Sequence, residues 1–389
     1  MSSVKSISMM IVKFKTFICV SIFLAIFASC AVPKPKTESS ASLTQKPIII
    51  FVPGYKGSKL ADGISGETVW LSLSEVLFGD KNLAINTALF SSIKEDLLEE
   101  KGVLESISIL PPLVSYNIYS DCLDSLRTNF GEEFDVKLFS YDWRRGADFN
   151  GKRLLEFISS LQASSDAPIS VVSHSMGGLV TTYAIKSGAL VHSLVYFGTP
   201  FKGVLESFRD MNFETQPLLR NTTLLDKKAY NSFESAFDLM PESSEFSFMY
   251  DVKNWEKHNW GLFSFREDKN FNLNGIREYV DSNLRRAETV HKINHSDISN
   301  DSLINKIKVL NIVGTGTPTL AKAEFTIDGV SFTGEKLLAD GDGVVTRESA
   351  TIPSFFNQSV GKEVLFKQNH LDLCLSGEVT KEVVTFLVQ

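Results

Sequence analysis

The sequence is poor in the residues that hold metals and cross-links. It has four cysteines and six histidines in 389 residues. No CxxC and no H-E-x-x-H occurs, so neither a zinc site nor any other metal or cofactor is expected. It also lacks a basic block, and its net charge is −7, which argues against nucleic acid as a partner. No internal repeat is visible. What the chain does have is apolar mass: 43% of its residues are hydrophobic and 29 are Phe. That is enough for one large α/β domain or two small ones, with a broad apolar core or an apolar surface suited to lipid.

Residues 1–29 read as a targeting segment and not as fold. Lys5, Lys13 and Lys15 precede an apolar run at 17–28, which is too short to span a bilayer comfortably. The run ends in Phe27-Ala28-Ser29-Cys30, which resembles a bacterial lipoprotein signal. The resemblance implies cleavage before Cys30, lipid on its sulfur, and membrane anchoring in the cell envelope, at the outer membrane rather than the inner. A simple secretory signal or a retained anchor is the alternative. Residues 30–46 hold Pro, Lys, Ser and Thr and read as a flexible tether. Cys19 leaves with the signal, so Cys122 and Cys374 remain in the domain at 47–389. They could pair in an oxidising compartment, but two buried free thiols are the expectation.

From residue 47 short apolar runs alternate with amphipathic stretches, the βαβ pattern of a parallel sheet. Strands are expected at 48–52, 134–139, 169–172, 193–197, 308–313 and 362–366, with a hairpin over 324–333. Helices are expected at 119–130, 152–163, 179–186 and 376–388. Two stretches break the pattern. Residues 58–90 carry Trp70, Leu71, Leu73, Val76, Leu77 and Phe78 irregularly, and a lid and a core-packed helix fit them equally. Residues 204–307 are rich in aromatics and read as a cap inserted between two core strands. Its His258, His291 and His295 are read as surface or core residues.

The chemistry centres on Ser173-His174-Ser175-Met176-Gly177, placed between a β-branched run and a helix-compatible stretch. Strand, tight turn and helix are the context a nucleophile elbow needs. The small residues at 173 and 177 leave room for the turn, and Ser175 stands at its apex as candidate nucleophile. The Met176 N–H, at a helix start, is a candidate oxyanion donor. The Tyr55 N–H, in the glycine turn after the first strand, is the second. Asp342 and His370 follow in the order nucleophile, acid, base, each in a loop after a predicted strand. His370 would move the proton and Asp342 would orient its ring. Asp340 competes with Asp342, which is preferred because Gly343 lets the chain turn away behind it. Asp142 is a weaker candidate for the acid and is read as a structural partner of Arg144. Asp372 is disfavoured as too near His370 in sequence, and His174 is read as structural.

These residues carry a resemblance. The matches are Val52-Pro53-Gly54-x-x-Gly57-Ser58-x-Leu60, Tyr141-Asp142-Trp143-Arg144, His174-Ser175-Met176-Gly177, Gly198-Thr199-Pro200, the stretch 235–241, Gly314-x-Gly316-x-Pro318, Asp340-Gly341-Asp342-Gly343-x-Val345 and His370-Leu371-Asp372. In this order they resemble the lecithin:cholesterol acyltransferase family, which includes lysosomal phospholipase A-type and plant acyltransferase members. The resemblance implies an α/β-hydrolase fold, with a mostly parallel central sheet, helices on both faces, a lid after Ser58 and a cap. It implies Ser175, Asp342 and His370 as triad, with the N–H groups of Tyr55 and Met176 as oxyanion hole. It also implies a serine lipase or acyltransferase passing an acyl group from membrane phospholipid or another lipid ester to an alcohol or water. Ser173 for the usual Gly, Phe201-Lys202 after Gly198-Thr199-Pro200, and Val344 where Thr is common are departures. The dissimilar cap leaves the acceptor open. The competing expectations are an esterase acting on short soluble esters, or a catalytically silent lipid-anchored envelope protein.

Overall fold

The computed structural model describes residues 45–85, 97–110, 114–213, 224–267, 272–296, 306–326, 329–354, 356 and 361–388. The expected signal, Cys30 and nearly all of the tether lie outside the described residues, as does the turn of the 324–333 hairpin. Among the described residues, no helix is long and apolar enough to cross a membrane.

Runs such as Ile48-Ile49-Ile50-Phe51-Val52 are apolar at every position because both faces of their sheet are covered. The central strands are β1 (Ile48–Val52), β2 (Asp135–Leu138), β3 (Ile169–His174), β4 (Ser193–Phe197), β5 (Lys308–Gly314) and β6 (Gly361–Phe366). They form one six-stranded sheet in the order β6-β5-β4-β3-β1-β2, and every neighbouring pair is parallel. Alternation along the strands feeds two cores. Ile48, Ile50, Val171, Leu194 and Tyr196 join one cluster, whereas Ile49, Phe51, Val172, Val195, Phe197 and Leu310 join the other.

Five longer helices matter here: α1 (Ser120–Phe130), α2 (Ala147–Ser164), α3 (Met176–Lys186), α4 (Leu273–His295) and α5 (Gly377–Val388). Leu154 and Ile158 of α2, Leu179 and Val180 of α3, and Ile276 and Leu284 of α4 enter the first cluster. Leu123, Leu126 and Phe130 of α1 and Val379 and Val383 of α5 enter the second. Helix α2 starts five residues earlier than its amphipathic pattern predicts. Its first amides are satisfied from far away in sequence, Gly146 N–H donating to Glu234 at 3.0 Å and Ala147 N–H to Asp238 at 2.7 Å. A cap supplied by tertiary contact leaves no local signal.

The expectation of free thiols is overturned. Cys122 and Cys374 form a disulfide across 252 residues. Both sulfurs are buried on the face where α1 and α5 pack together, a proximity that spacing in sequence could not reveal. Closing so long a loop restricts the unfolded chain strongly. A Cys122→Ser/Cys374→Ser variant is therefore expected to lose about 2–5 kcal/mol, read as a lower urea midpoint that reductant reproduces in the parent protein.

The 58–90 segment, described as far as residue 85, is not the core-packed helix offered for it. Strands Ser58–Asp62 and Thr68–Trp70 pair antiparallel, with Leu60, Val69 and Trp70 buried. Helix Leu73–Phe78 buries none of its residues, and Ile64 and Phe78 are about 80% exposed (80% and 81%). In the cap region many of the aromatics face inward. Phe208 packs against Trp255 and Trp260 with ring centroids 5.6 and 4.9 Å away, and Phe237 lies 5.8 Å from Trp255. These rings belong to the same buried cluster as one face of the central sheet.

Candidate active site

The elbow closes as its small residues require. Ser175, between β3 and α3, has φ +52° and ψ −128°, a combination that side chains rarely adopt. Its N–H donates to Phe197 O at 2.8 Å. Gly177 faces the backbone after β1 so closely that a Cβ would sit 2.4 Å from Pro53 O. A Cβ on Gly54 would meet the Ser175 Cβ at 2.8 Å. The glycine turn and the elbow are therefore pressed together. Ser173 is accommodated because its hydroxyl donates to Val195 O of the adjacent strand at 3.3 Å.

Tyr141-Asp142-Trp143-Arg144 holds the glycine turn from below. Tyr141 Oη donates to Pro53 O at 2.8 Å, Trp143 Nε1 to Ser58 O at 3.1 Å, and the Ser58 hydroxyl accepts from Tyr141 N–H at 3.1 Å. The fully buried Arg144 donates Nε and Nη2 to the Asp142 carboxylate at 2.9 and 2.8 Å and Nη1 to Leu83 O at 3.0 Å. Asp142 is thus spoken for as a structural partner and stands apart from His370. Arg144→Leu would leave a buried carboxylate uncompensated, and a loss of about 3–5 kcal/mol in unfolding free energy is expected by chemical denaturation.

Asp342 and His370 meet. His370 Nδ1 lies 2.8 Å from Asp342 Oδ2, and His370 N–H donates to Asp342 O at 3.0 Å. Asp342 Oδ1 accepts from Val344 N–H and Val345 N–H at 2.9 and 2.7 Å, so the Gly343 turn fixes the carboxylate toward the ring. The route to that position departs from the expectation. The strand before Asp342, Leu338–Gly341, is not in the parallel sheet but pairs antiparallel with Thr317–Leu320. This ribbon leaves the end of β5 and folds Asp342 back over Gly314, whose added Cβ would lie 2.5 Å from the Asp342 Cβ. Asp340 accepts from Gly316 N–H at 2.7 Å, which ties the ribbon to the chain just after β5. Asp372 accepts from Asn369 Nδ2 at 3.1 Å.

The three candidates gather around Phe197-Gly198. Phe197 O binds Ser175 N–H, and a Cβ on Gly198 would touch Asp342 Oδ2 at 3.0 Å and His370 Nδ1 at 3.1 Å. Among the described residues, no hydrogen bond joins the Ser175 hydroxyl to His370, and such contacts commonly tighten only when substrate is bound. Neither Tyr55 N–H nor Met176 N–H has a protein acceptor among the described residues.

His174 and Tyr119 are more involved than their sequence context suggests. Gly54 N–H donates to Tyr119 Oη at 2.9 Å, and Tyr119 Oη lies 2.7 Å from His174 Nδ1. His174 Nε2 is 3.1 Å from His370 O, and the two rings are 4.7 Å apart. This network assigns a neutral His174 that accepts from Tyr119 and donates to His370 O. Tyr119 carried no sequence signal, because its partners are 65 and 55 residues away.

Burial lowers the His174 pKa to about 3 and that of His291 to about 4, so both stay neutral in the folded chain. The unfolded chain takes up these protons below about pH 6.5, so stability is present above that pH and falls toward pH 4. Glu206 acts oppositely: burial raises it to about 7, so its folded form holds a proton that the unfolded chain releases above about pH 4.5. Burial also raises the Asp238 and Glu245 carboxyls, which work with Glu206 against the two imidazoles; His291 by itself contributes a loss of about 1.4 kcal/mol per pH unit on acidification from 6.5 to 4.5. Urea midpoints across that range check it, and His291→Gln should flatten the slope. His291 and His295 stand one turn apart on α4, but His295 Nε2 bonds Phe201 O at 2.7 Å. No metal-holding cluster occurs among the described residues.

Ser175 opens into a cleft of roughly 170 Å³ whose walls include Tyr55, Lys56, Glu206, Asp210, Tyr230 and Val344. A parallel sheet covered on both faces, a strained serine elbow and an aspartate–histidine pair beside it define an α/β-hydrolase fold with the layout of an ester-processing site. A family model for lecithin:cholesterol acyltransferase matches residues 99–321, more than half of the chain, and the protein belongs to that family. Similar proteins include the uncharacterized protein YJR098C of Saccharomyces cerevisiae, 24% identical over 250 residues, 63% of this chain and 35% of that one. The chain thus spans about a third of that relative's length. A solved Tle4-Tli4 complex contains a chain 12% identical, with 88% of this chain and 98% of that one covered at a TM-score of 0.52, a likeness of fold. The mature Bacillus licheniformis lipase BlEst2 is 14% identical over 88% of this chain and 92% of its own, at a TM-score of 0.42.

Proposed function

We propose that the protein is a lipid-anchored serine lipase or acyltransferase that takes an acyl group from membrane phospholipid or another lipid ester. The observation that carries the reading is the buried 2.8 Å contact of His370 Nδ1 with Asp342, at the sheet end where Ser175 occupies the elbow. With Nδ1–H directed to the carboxylate, Nε2 is free to accept a proton. Ser175 Oγ attacks the ester carbonyl as Nε2 takes its hydrogen. The oxyanion receives the unclaimed N–H groups of Tyr55 and Met176, each worth about 3–4 kcal/mol in a preorganised hole. The tetrahedral species collapses, the ester C–O bond breaks, and His370 returns the proton to the departing alcohol. Water or a second alcohol then gives its proton to His370 and attacks the acyl carbon; the bond to Ser175 Oγ breaks and His370 returns the proton to that oxygen, regenerating Ser175.

Membership of the lecithin:cholesterol acyltransferase family supports a lipid ester as substrate. The exposed Ile64 and Phe78 suit a 58–90 lid that meets lipid. Anchoring through Cys30 in a bacterial envelope rests on the signal-like sequence, and the Cys122–Cys374 bridge fits an oxidising compartment. The test is product analysis on mixed phospholipid vesicles, with and without added sterol or alcohol. Free fatty acid or a new acyl ester is expected. Cleavage of a short-chain nitrophenyl ester with vesicles left intact would assign a soluble-ester esterase instead.

A further inference from the structure

Lys56 is held in an unusual way for a surface-loop lysine. Its φ of +62° is a conformation glycine adopts freely and lysine does not, yet here Gly54 and Gly57 flank it and lysine occupies the strained position. Trp70 Nε1 pins its carbonyl at 2.9 Å. Its ammonium lies 5.1, 5.9 and 4.9 Å from the ring centres of Tyr55, Trp70 and Tyr230, and it donates one hydrogen bond, to Tyr230 Oη at 3.1 Å. An ammonium has three donors. Among the described residues no carboxylate comes within ion-pair distance of it.

The acids that share the cleft are engaged or neutralised. Asp210 is bound by Arg209 Nε and Nη2 at 3.1 and 3.0 Å and accepts from Tyr230 Oη at 3.4 Å. Glu206 lies 3.7 Å from Arg209 Nη1, and burial keeps it protonated up to about pH 7. Among the described residues the buried Tyr55 hydroxyl has no hydrogen-bond partner within 3.5 Å, although it and Tyr230 influence each other's ionisation. The same cleft contains Ser175.

We propose that Lys56, aimed by Tyr230 and aided by the Tyr55 hydroxyl, holds the phosphate of a glycerophospholipid whose acyl ester lies at Ser175. The proposal rests on the ester-processing reading of Ser175 and names a residue that reads the headgroup of its substrate. A glycerophospholipid carries its anionic phosphodiester only a few bonds from the scissile ester, whereas diacylglycerol and nitrophenyl esters carry no charge there. A charge-assisted hydrogen bond in a cleft shielded from water then separates these substrates.

The test compares two ligands in the full chain carrying Ser175→Ala, which binds without turnover. Calorimetry gives Kd for dihexanoylphosphatidylglycerol and for dihexanoylglycerol. Adding Lys56→Gln should lower the preference for the phospholipid about tenfold or more, and Lys56→Arg should restore part of it. Tyr230→Phe, which removes only the aiming hydroxyl, should move the preference the same way by a smaller factor and covers the case in which Lys56→Gln fails to fold. An unchanged preference in Lys56→Gln, or in Tyr230→Phe should that variant alone fold, overturns the proposal even if wild type cleaves phospholipid. Binding that depends on Lys56 for inorganic phosphate but not for the phospholipid also overturns it, making the free ion the ligand. Preference that depends on Lys56 while wild type cleaves neither lipid upholds the phosphate site and sinks the acyl-transfer reading.

Discussion

Ser175→Ala is expected to remove ester cleavage almost completely, lowering kcat by roughly a hundred-thousand-fold to a million-fold. Labelling by a serine-directed fluorophosphonate should vanish with it. The remaining groups, His370 with Asp342 and the two N–H donors, have nothing to deliver to the carbonyl once the hydroxyl is gone. Labelling that survives in the variant would remove Ser175 from the role. The backbone supplies a second readout. At φ +52° and ψ −128° alanine is as strained as serine, whereas glycine is not. Ser175→Gly is therefore expected to unfold at a higher urea concentration than Ser175→Ala, by about 1–2 kcal/mol of stability. A residue kept in this conformation at a cost to the fold is one retained for its side chain.

Asp342→Asn is the second large effect, and it separates orientation from folding. The new side chain can keep Oδ1 as acceptor for Val344 N–H and Val345 N–H. It then presents an NH₂ group to His370 Nδ1, which must accept instead of donate. The imidazole hydrogen moves to Nε2, the nitrogen that should take the proton from Ser175. A fall in kcat of about ten-thousand-fold is expected, with a thermal midpoint close to that of the parent. An Asp342→Asn enzyme of near-normal turnover would exclude Asp342 as the orienting acid. The same substitution at Asp340, whose carboxylate accepts from Gly316 N–H across the ribbon, should leave turnover within a few-fold.

The central sheet was legible because its strands are covered on both faces and so read as unbroken apolar runs. The elbow was legible because a tight turn tolerates only small groups at 173 and 177. Contacts between distant segments were not. The ribbon that brings Asp342 back to the sheet depends on pairing between 317–320 and 338–341, and the short run at 338–341 looks locally like a turn. The early start of α2 depends on carboxylates at 234 and 238. Tyr119 is an ordinary helix-start residue until the fold sets it between Gly54 and His174. Cys122 and Cys374 offered no spacing rule, and their pairing follows only from which helices share a face. His174 holds the structural place expected of it, through partners, Tyr119 and His370 O, that only the fold brings near.

The Cys122–Cys374 bridge joins two distant segments that both reach the candidate site. Cys374 stands four residues beyond His370, and Cys122 three beyond Tyr119, whose hydroxyl reaches the glycine turn and His174. Oxidation therefore ties together the segment that carries His370 and the segment that braces the glycine turn. With the bond open, only packing and hydrogen bonds would hold the two segments to one another. Synthesis where thiols stay reduced would therefore yield a chain without this fastening.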